Sequence, residues 1–329
     1  MPEESSDNSV SRLSRIYADF ADLEAAARSP LYAEICRGVA GDMALLVKLA
    51  DLPLEKQQPN LLLAAMKYLF GTALDWPQFR KRAEAHWDAV LVVIMARRTQ
   101  TNEPARCATL LPLLALLPQP LALLEVGASA GLCLLPDKYA YDFGGRVTGP
   151  TRGEDAAPLF HCAVNDATPV PRKNIDVVWR AGLDLNPLDV RAESDVRWLH
   201  ALVWPGEGER GRLLDEALAV ARRDPPRVVK GDLRHDLAAL AAEATRDATL
   251  VVFHSAVLAY VPDMADRLAF AESVKQLGAQ WVSNESANVF RAADMLARPW
   301  GRFLLSLNNI PQAYADGHGA ALDWIAGLV

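Results

Sequence analysis

A chain of 329 residues, 51% hydrophobic and 23% charged, has the apolar content to bury the cores of two ordinary domains. Its net charge of −7 argues against a nucleic-acid groove as the main surface, because neutralising phosphates takes clustered Lys and Arg. The polar, acidic start (MPEESSDNSVSRL) lacks the pattern of a signal peptide, and the apolar run 109–126 is broken by Pro112, Pro118, Gln119 and Pro120, so no membrane span is expected.

Cys36, Cys107, Cys133 and Cys162 are widely spaced with no C-x-x-C, which suits buried thiols and a cytoplasmic protein. The six histidines show no ligand-like spacing, so no metal site is expected. Along the chain, residues 1–118 read as a helical domain. Asp7 or Ser9 caps a helix with Leu13, Ile16, Tyr17, Phe20 and Leu23 on one face. Asp42 starts a second, Pro59-Asn60 and Gly71 bracket a third, and Pro77 opens a long one over 77–98. The basic run at 80–82 has acidic neighbours and reads as a solvated face.

From about residue 119 short apolar runs alternate with amphipathic helices, as in a parallel sheet covered on both faces. The runs are 121–127, 176–185, 227–233, 249–258 and 279–286, followed by 301–309 and 321–326, which are expected to pair antiparallel. The helices lie at 197–204, 210–223 and 263–278; the Gly-, Pro- and charge-rich segment 142–174 reads as an insertion after the first helix. The fold class is therefore α/β, over 119–329, preceded by the helical domain.

The stretch LLEVGASAG carries two motifs. As G-x-S-x-G it offers Ser129 as a hydrolase nucleophile, with Asp263 and His318 completing a triad, but everything upstream is helical and no oxyanion-hole segment of the H-G-G-G kind occurs. As E-x-G-x-x-x-G it lacks the second glycine that lets backbone approach a pyrophosphate, which argues against NAD or FAD. With AGLDLNP, VVKGDL and VVFHSAVLAY following in order, it resembles the first motif of the class I S-adenosylmethionine-dependent methyltransferases. The terminal strand pair resembles the hairpin closing that family's sheet. The wider chain, with GASAGL, GLDLNPLDV, WLHALVWP, FHSAVLAYV and a late HG, also resembles an uncharacterised bacterial family that sets a helical half before a methyltransferase-like half.

That resemblance implies S-adenosylmethionine as cofactor and methyl transfer to a small-molecule acceptor. It makes Glu125 the acid that attracts the cofactor's amino group, Gly127 and Gly131 the loop that leaves it room, and Ser129 a loop hydrogen-bonding residue. Tight-turn glycines are the plainer alternative. Asp184 resembles the ribose acid, although it lies 57 residues past Gly127 where roughly twenty are usual; Asp142, at 15, is its rival, and a turn role suits Asp184 equally. Asp232 and the backbone of Leu233 resemble the adenine contacts, or Asp232 caps the next helix. His254, ending the fourth strand, is the candidate general base, unless it is a structural histidine. Trp198, Trp204, Arg210 and His318 are candidate substrate residues, the tryptophans suiting a core as well. The helical half is a candidate lid or substrate-recognition domain. A protein with this fold but no catalysis, acting as a binding module, is the alternative from another class.

Overall fold

A computed structural model describes residues 6–100, 102–150, 157–286, 288–289 and 301–325. Two compact units emerge: residues 1–101 with 193–212, and residues 102–192 with 213–329. The first break falls at 101/102 and not at 118/119, so the segment before the first strand belongs with the sheet.

The helical unit starts with α1 (Ser6–Asp19), which runs on into a π-helical segment, Phe20–Ala25. Asp7 and Ser9 lie inside α1 and do not precede it. There follow α2 (Pro30–Gly41), α3 (Met43–Ala50), α4 (Pro59–Phe70), α5 (Trp76–Ala85) and α6 (Trp87–Ala96). Their starts follow from local chemistry: the side chains of Ser29, Asp42 and Asp75 accept from the N–H groups of Tyr32, Leu45 and Gln78, satisfying orphan donors of the first turn. The single long helix expected over 77–98 is two, because His86 leaves the helical conformation (φ −133°, ψ 29°).

The α/β unit opens with α7 (Arg106–Leu114) and β1 (Leu121–Val126). β2 (Ala140–Asp142), β3 (Val147–Thr148), β4 (Leu159–His161) and β5 (Ala163–Val164) precede β6 (Val177–Asp184). Next come α8 (Glu193–Leu202) and α9 (Gly208–Arg223), of which the residues to Arg212 belong to the helical unit. β7 (Val228–Lys230), α10 (Leu237–Ala241), β8 (Thr249–Ser255), α11 (Met264–Gln276), β9 (Gln280–Ser286), β10 (Arg302–Leu307), β11 (Ile310–Asp316) and β12 (Ala321–Trp324) complete it.

The large sheet has the order β5-β12-β11-β10-β9-β8-β1-β6-β7, and β7, β6, β1, β8 and β9 are mutually parallel. In order of appearance these five run 3-2-1-4-5, as in doubly wound sheets, with the switch of direction between β1 and β8. β1 is buried at every position, which is why its sequence is unbroken apolar residues around Glu125. One face of the sheet packs Leu124, Val126 and Val252 against Leu237, Leu240, Phe270 and Val274 of α10 and α11.

Three expectations are corrected here. β10 does not pair with β12: β11 lies between them, joined to β10 by a two-residue turn at Asn308 (φ 51°) and Asn309 (φ 66°). Pro311 at a register shift masked that strand, since proline argues against an interior strand. Secondly, among the described residues no α-helix joins β1 to β6. Two short 3-10 turns lead instead into a small sheet of order β3-β2-β4, and β5 then joins the far edge of the large sheet. Thirdly, Asp142, the rival ribose acid, lies in that small sheet, accepting from Gly145 N at 2.6 Å, and not at a strand end of the large one. No helix among the described residues is long and apolar enough to cross a membrane, and the four cysteines are unbonded and buried.

Candidate functional site

Open parallel sheets bind ligands beyond the carboxyl ends of their strands, at the switch of direction, and four strand exits meet there. After β1 the chain turns through Gly127 (φ 72°), Ser129 (φ 53°) and Gly131 (φ 74°). A Cβ on Gly127 would lie 2.4 Å from Val257 Cγ2, and one on Gly131 2.7 Å from Pro226 Cγ. Neighbouring protein side chains and positive φ therefore each favour glycine at both positions. Ser129 is buried; its N–H donates to Asp184 Oδ2 at 2.8 Å and its carbonyl accepts from Leu188 N at 3.1 Å.

Asp184, at the end of β6, also accepts from Asn186 N through Oδ1 at 2.7 Å. Each of its oxygens thus holds a backbone N–H, and the residue welds the β1 loop to the β6 turn. Asp232 is bound at both oxygens by the Arg234 guanidinium (2.6 Å to Oδ2), a partner that holds its carboxyl below the ordinary carboxylate value. It organises the turn before α10, whose N-cap is Asp236, and Leu233 in that turn packs on the core.

His254 is wholly enclosed. Its Nδ1 lies 2.7 Å from Glu285 Oε1, and its Nε2 accepts from Trp281 Nε1 at 2.9 Å. The indole can only donate, so Nε2 carries the lone pair and Nδ1 the proton given to Glu285. The same Glu285 oxygen accepts from Val257 N (2.8 Å) and Leu258 N (3.1 Å). The geometry makes this histidine a strut that holds the β8 exit loop, with Val257 over Gly127; as a general base it has no path to a substrate through its occupied ring nitrogens.

The opposite face of the sheet carries a second polar group of residues. Register pairs Glu125 with Phe253 and Ser255 with Asn284, so Glu125, Ser255 and Asn284 share one face while His254 and Glu285 lie on the other. Asn284 Nδ2 donates to Ser255 Oγ at 3.1 Å. From the first residue of α7, Arg106 Nε donates to Gly317 O (2.8 Å) and Nη1 to Ser255 O (3.1 Å). One guanidinium thereby brings the β11–β12 turn to the end of β8. His318 in that turn has Nδ1 3.5 Å from Glu103 Oε2. Asn102 Oδ1 accepts from Leu132 N at 2.8 Å and Cys133 Sγ donates to Glu103 O at 3.3 Å, tying the segment just before α7 to the glycine loop.

Two acceptors in this group, Glu125 Oε2 and Asn284 Oδ1, are buried with no hydrogen-bond partner among the described residues. Such atoms are rare in native proteins and point to a missing water, ion or ligand. Burial first, then Cys133 and Asp184, pushes the Glu125 carboxyl well above its ordinary 4.5, and Arg106 offsets only part. The glutamate is therefore neutral in the fold above the pH at which the unfolded chain ionises. In that window the folded state holds the extra proton, so stability falls as pH rises. Glu125→Gln is expected to remove this slope, becoming more stable than wild type by on the order of 1 kcal/mol at pH 8 and by nothing at pH 4; denaturant titrations at the two values check it.

Of the substrate candidates, only His318 belongs to this group. Trp198 and Trp204 are buried in the helical unit, where their indole N–H groups donate to Arg98 O and Asn60 Oδ1, both at 3.0 Å. Arg210 pairs there with Glu207. Glu103, Arg106 and Asn284 were missed; the polar run Asn102-Glu103-Pro104 between two apolar helices is the signal that marks the first.

Residues 14–324 match the model of a family described as an uncharacterized protein conserved in bacteria, DUF2332. No curated protein and no solved structure matches the chain.

Proposed function

We propose that this chain, which belongs to the DUF2332 family, binds S-adenosylmethionine at the carboxyl ends of β1 and β6 and transfers its methyl group to a small-molecule acceptor. The observation that carries the reading is Glu125 Oε2, a buried acceptor without a partner among the described residues, at the switch of direction of a 3-2-1-4-5 sheet. An amino group there satisfies it. The fit is confined to that end: Gly127 gives no cradle and Asp232 is held by Arg234. Bound there, the donor supplies an activated methyl group; the chain's part is to orient the acceptor and keep water out.

Thermal unfolding with S-adenosylmethionine and S-adenosylhomocysteine tests this. Ligand at ~100 times its Kd adds about 2.7 kcal/mol; no shift at millimolar ligand sinks the proposal. An arriving ammonium also favours the ionised form of Glu125, whose carboxyl burial pushes up, so binding should release a proton wherever the unliganded glutamate is protonated. Calorimetry in buffers of different ionisation enthalpy reads that release, which Glu125→Gln should abolish.

A binding module without catalysis is the second reading, favoured by the commitment of Asp184, Asp232 and Val257 to protein contacts. The hydrolase reading gains nothing: Asp263 caps α11 and His318 faces Glu103.

A further inference from the structure

We infer that Cys107 and Cys133 form a site of reversible oxidation, closing into an intrachain disulfide that clamps α7 to the loop after β1. The disulfide needs nothing from the methyl-transfer reading.

The two residues are 26 apart in sequence, with no C-x-x-C spacing to join them. Cys107 lies in the first turn of α7 and Cys133 in the 3-10 turn Leu132–Leu134, directly after Gly131. β1 runs between them, and the turn of the chain at its exit brings the thiols together. Cys107 Sγ lies 3.6 Å from Cys133 O, and Cys133 Sγ donates to Glu103 O at 3.3 Å. The two side chains are also within hydrogen-bond reach of each other. With the Cys133 S–H turned to Glu103 O, the lone pairs of that sulfur are left for Cys107. Both residues belong to the α/β unit and both are buried, Cys107 wholly and Cys133 to 4% exposure. Sulfurs in such contact close by only roughly 1–2 Å to reach the ~2.05 Å of a disulfide.

The other two cysteines have different neighbours. Cys36, in the helical unit, has Tyr17 and Tyr32 beside it, and Cys162 donates to Ala163 O at 3.8 Å and faces Asp316. Burial pushes both of those thiols up to about 12, which makes them inert and useful as internal controls. Cys133 is also held well above the ordinary thiol value, first by its hydrogen bond with Cys107 and then by burial. The pair therefore rests reduced and oxidises slowly. What distinguishes it is the second sulfur, already in place to trap an oxidised Cys133.

Hydrogen peroxide is an oxidant small enough to enter beside Cys133. The Cys133 sulfur, giving up its proton, bonds to one peroxide oxygen as the O–O bond breaks. The leaving hydroxide takes the thiol proton and departs as water, and Cys133 is oxidised to the sulfenic acid. The Cys107 sulfur then loses its proton and attacks that sulfur; the S–S bond forms, the S–O bond breaks, and a second water leaves. Two thiols and one peroxide give one disulfide and two waters, and a dithiol reductant reverses the change. The closed loop contains the whole of β1, and its far end is the turn that follows Gly131.

The test treats the intact protein with hydrogen peroxide, alkylates it under denaturing conditions and cuts it after Arg106 and Lys138, which leaves both cysteines in one peptide. That peptide should be unalkylated and lighter by two hydrogens, while Cys36 and Cys162 are alkylated. Further cleavage after Glu125 should leave its two halves joined until dithiothreitol is added. Amide exchange at 129–134 should slow about tenfold or more on oxidation and recover with dithiothreitol. Cys107→Ser and Cys133→Ser should each make that exchange insensitive to peroxide. Two alkylated cysteines in the 107–138 peptide after prolonged treatment, a sulfinic acid at Cys133, or a disulfide joining two chains overturns the site. Exchange that is unchanged by the disulfide, or that slows equally in either variant, overturns the clamp.

Discussion

Gly319→Ala is expected to be among the most damaging single changes in the α/β unit, lowering stability by about 3 kcal/mol or more. Two effects add. The residue has φ 86°, a region that costs an L side chain free energy, and its Cβ would fall 2.0 Å from Ala105 O and 2.3 Å from Ala105 C. The atoms in the way are backbone, so no rotamer change relieves the clash; either the turn or the 103–106 segment moves. Movement stretches the Arg106–Gly317 bond and separates His318 from Glu103. Gly144→Ala is the matched control, with φ 66° and nothing within 4 Å of the added methyl. It bears the conformational cost alone, about 1 kcal/mol. Denaturant midpoints for the pair isolate the clash, and equal losses would show that the turn does not rest on Ala105.

The sheet was legible because buried parallel strands advertise themselves: six consecutive buried positions in β1 leave no room for polar residues apart from the one at Glu125. The helical half was legible from caps and a 3.6-residue apolar period, yet its boundary was not. Residues 102–118 look helical and are, but α7 packs in the α/β unit, a tertiary fact that no local pattern encodes. The β1–β6 crossover failed for a related reason. A glycine loop after a strand usually opens a helix, whereas here Gly131 leads into 3-10 turns and the small sheet.

The candidate site was half legible. Glu125 and His318 stand out by type and position. Glu103 and Arg106 lie more than 140 residues from the partners they meet at Ser255, Gly317 and His318. Long-range meetings of this kind leave no spacing to read. His254 was left with both a catalytic and a structural reading, because a histidine at a strand end looks the same in sequence whether its ring enters the site or the core.

His254→Ala should separate those two roles. If the ring is a strut, its loss leaves the Trp281 N–H and the Glu285 carboxylate without their partner inside the core. Breaking such a buried pair costs about 3–5 kcal/mol. Glu285→Gln should cost less, about 1–2 kcal/mol, since an amide oxygen still accepts from Val257 N and Leu258 N. The damage should also travel. Val257 sits where a Cβ on Gly127 would lie, so a loosened 256–258 loop frees the glycine loop with it. Hydrogen exchange should therefore quicken at both 256–258 and 127–131 in His254→Ala, and at neither in His318→Asn. A catalytic His254 predicts the contrary: normal stability, unchanged exchange and a lost rate. The enclosed ring, with a carboxylate on one nitrogen and an indole on the other, favours the strut. It also explains why the loop that faces the strand ends is anchored from behind, on the face of the sheet that packs against α11.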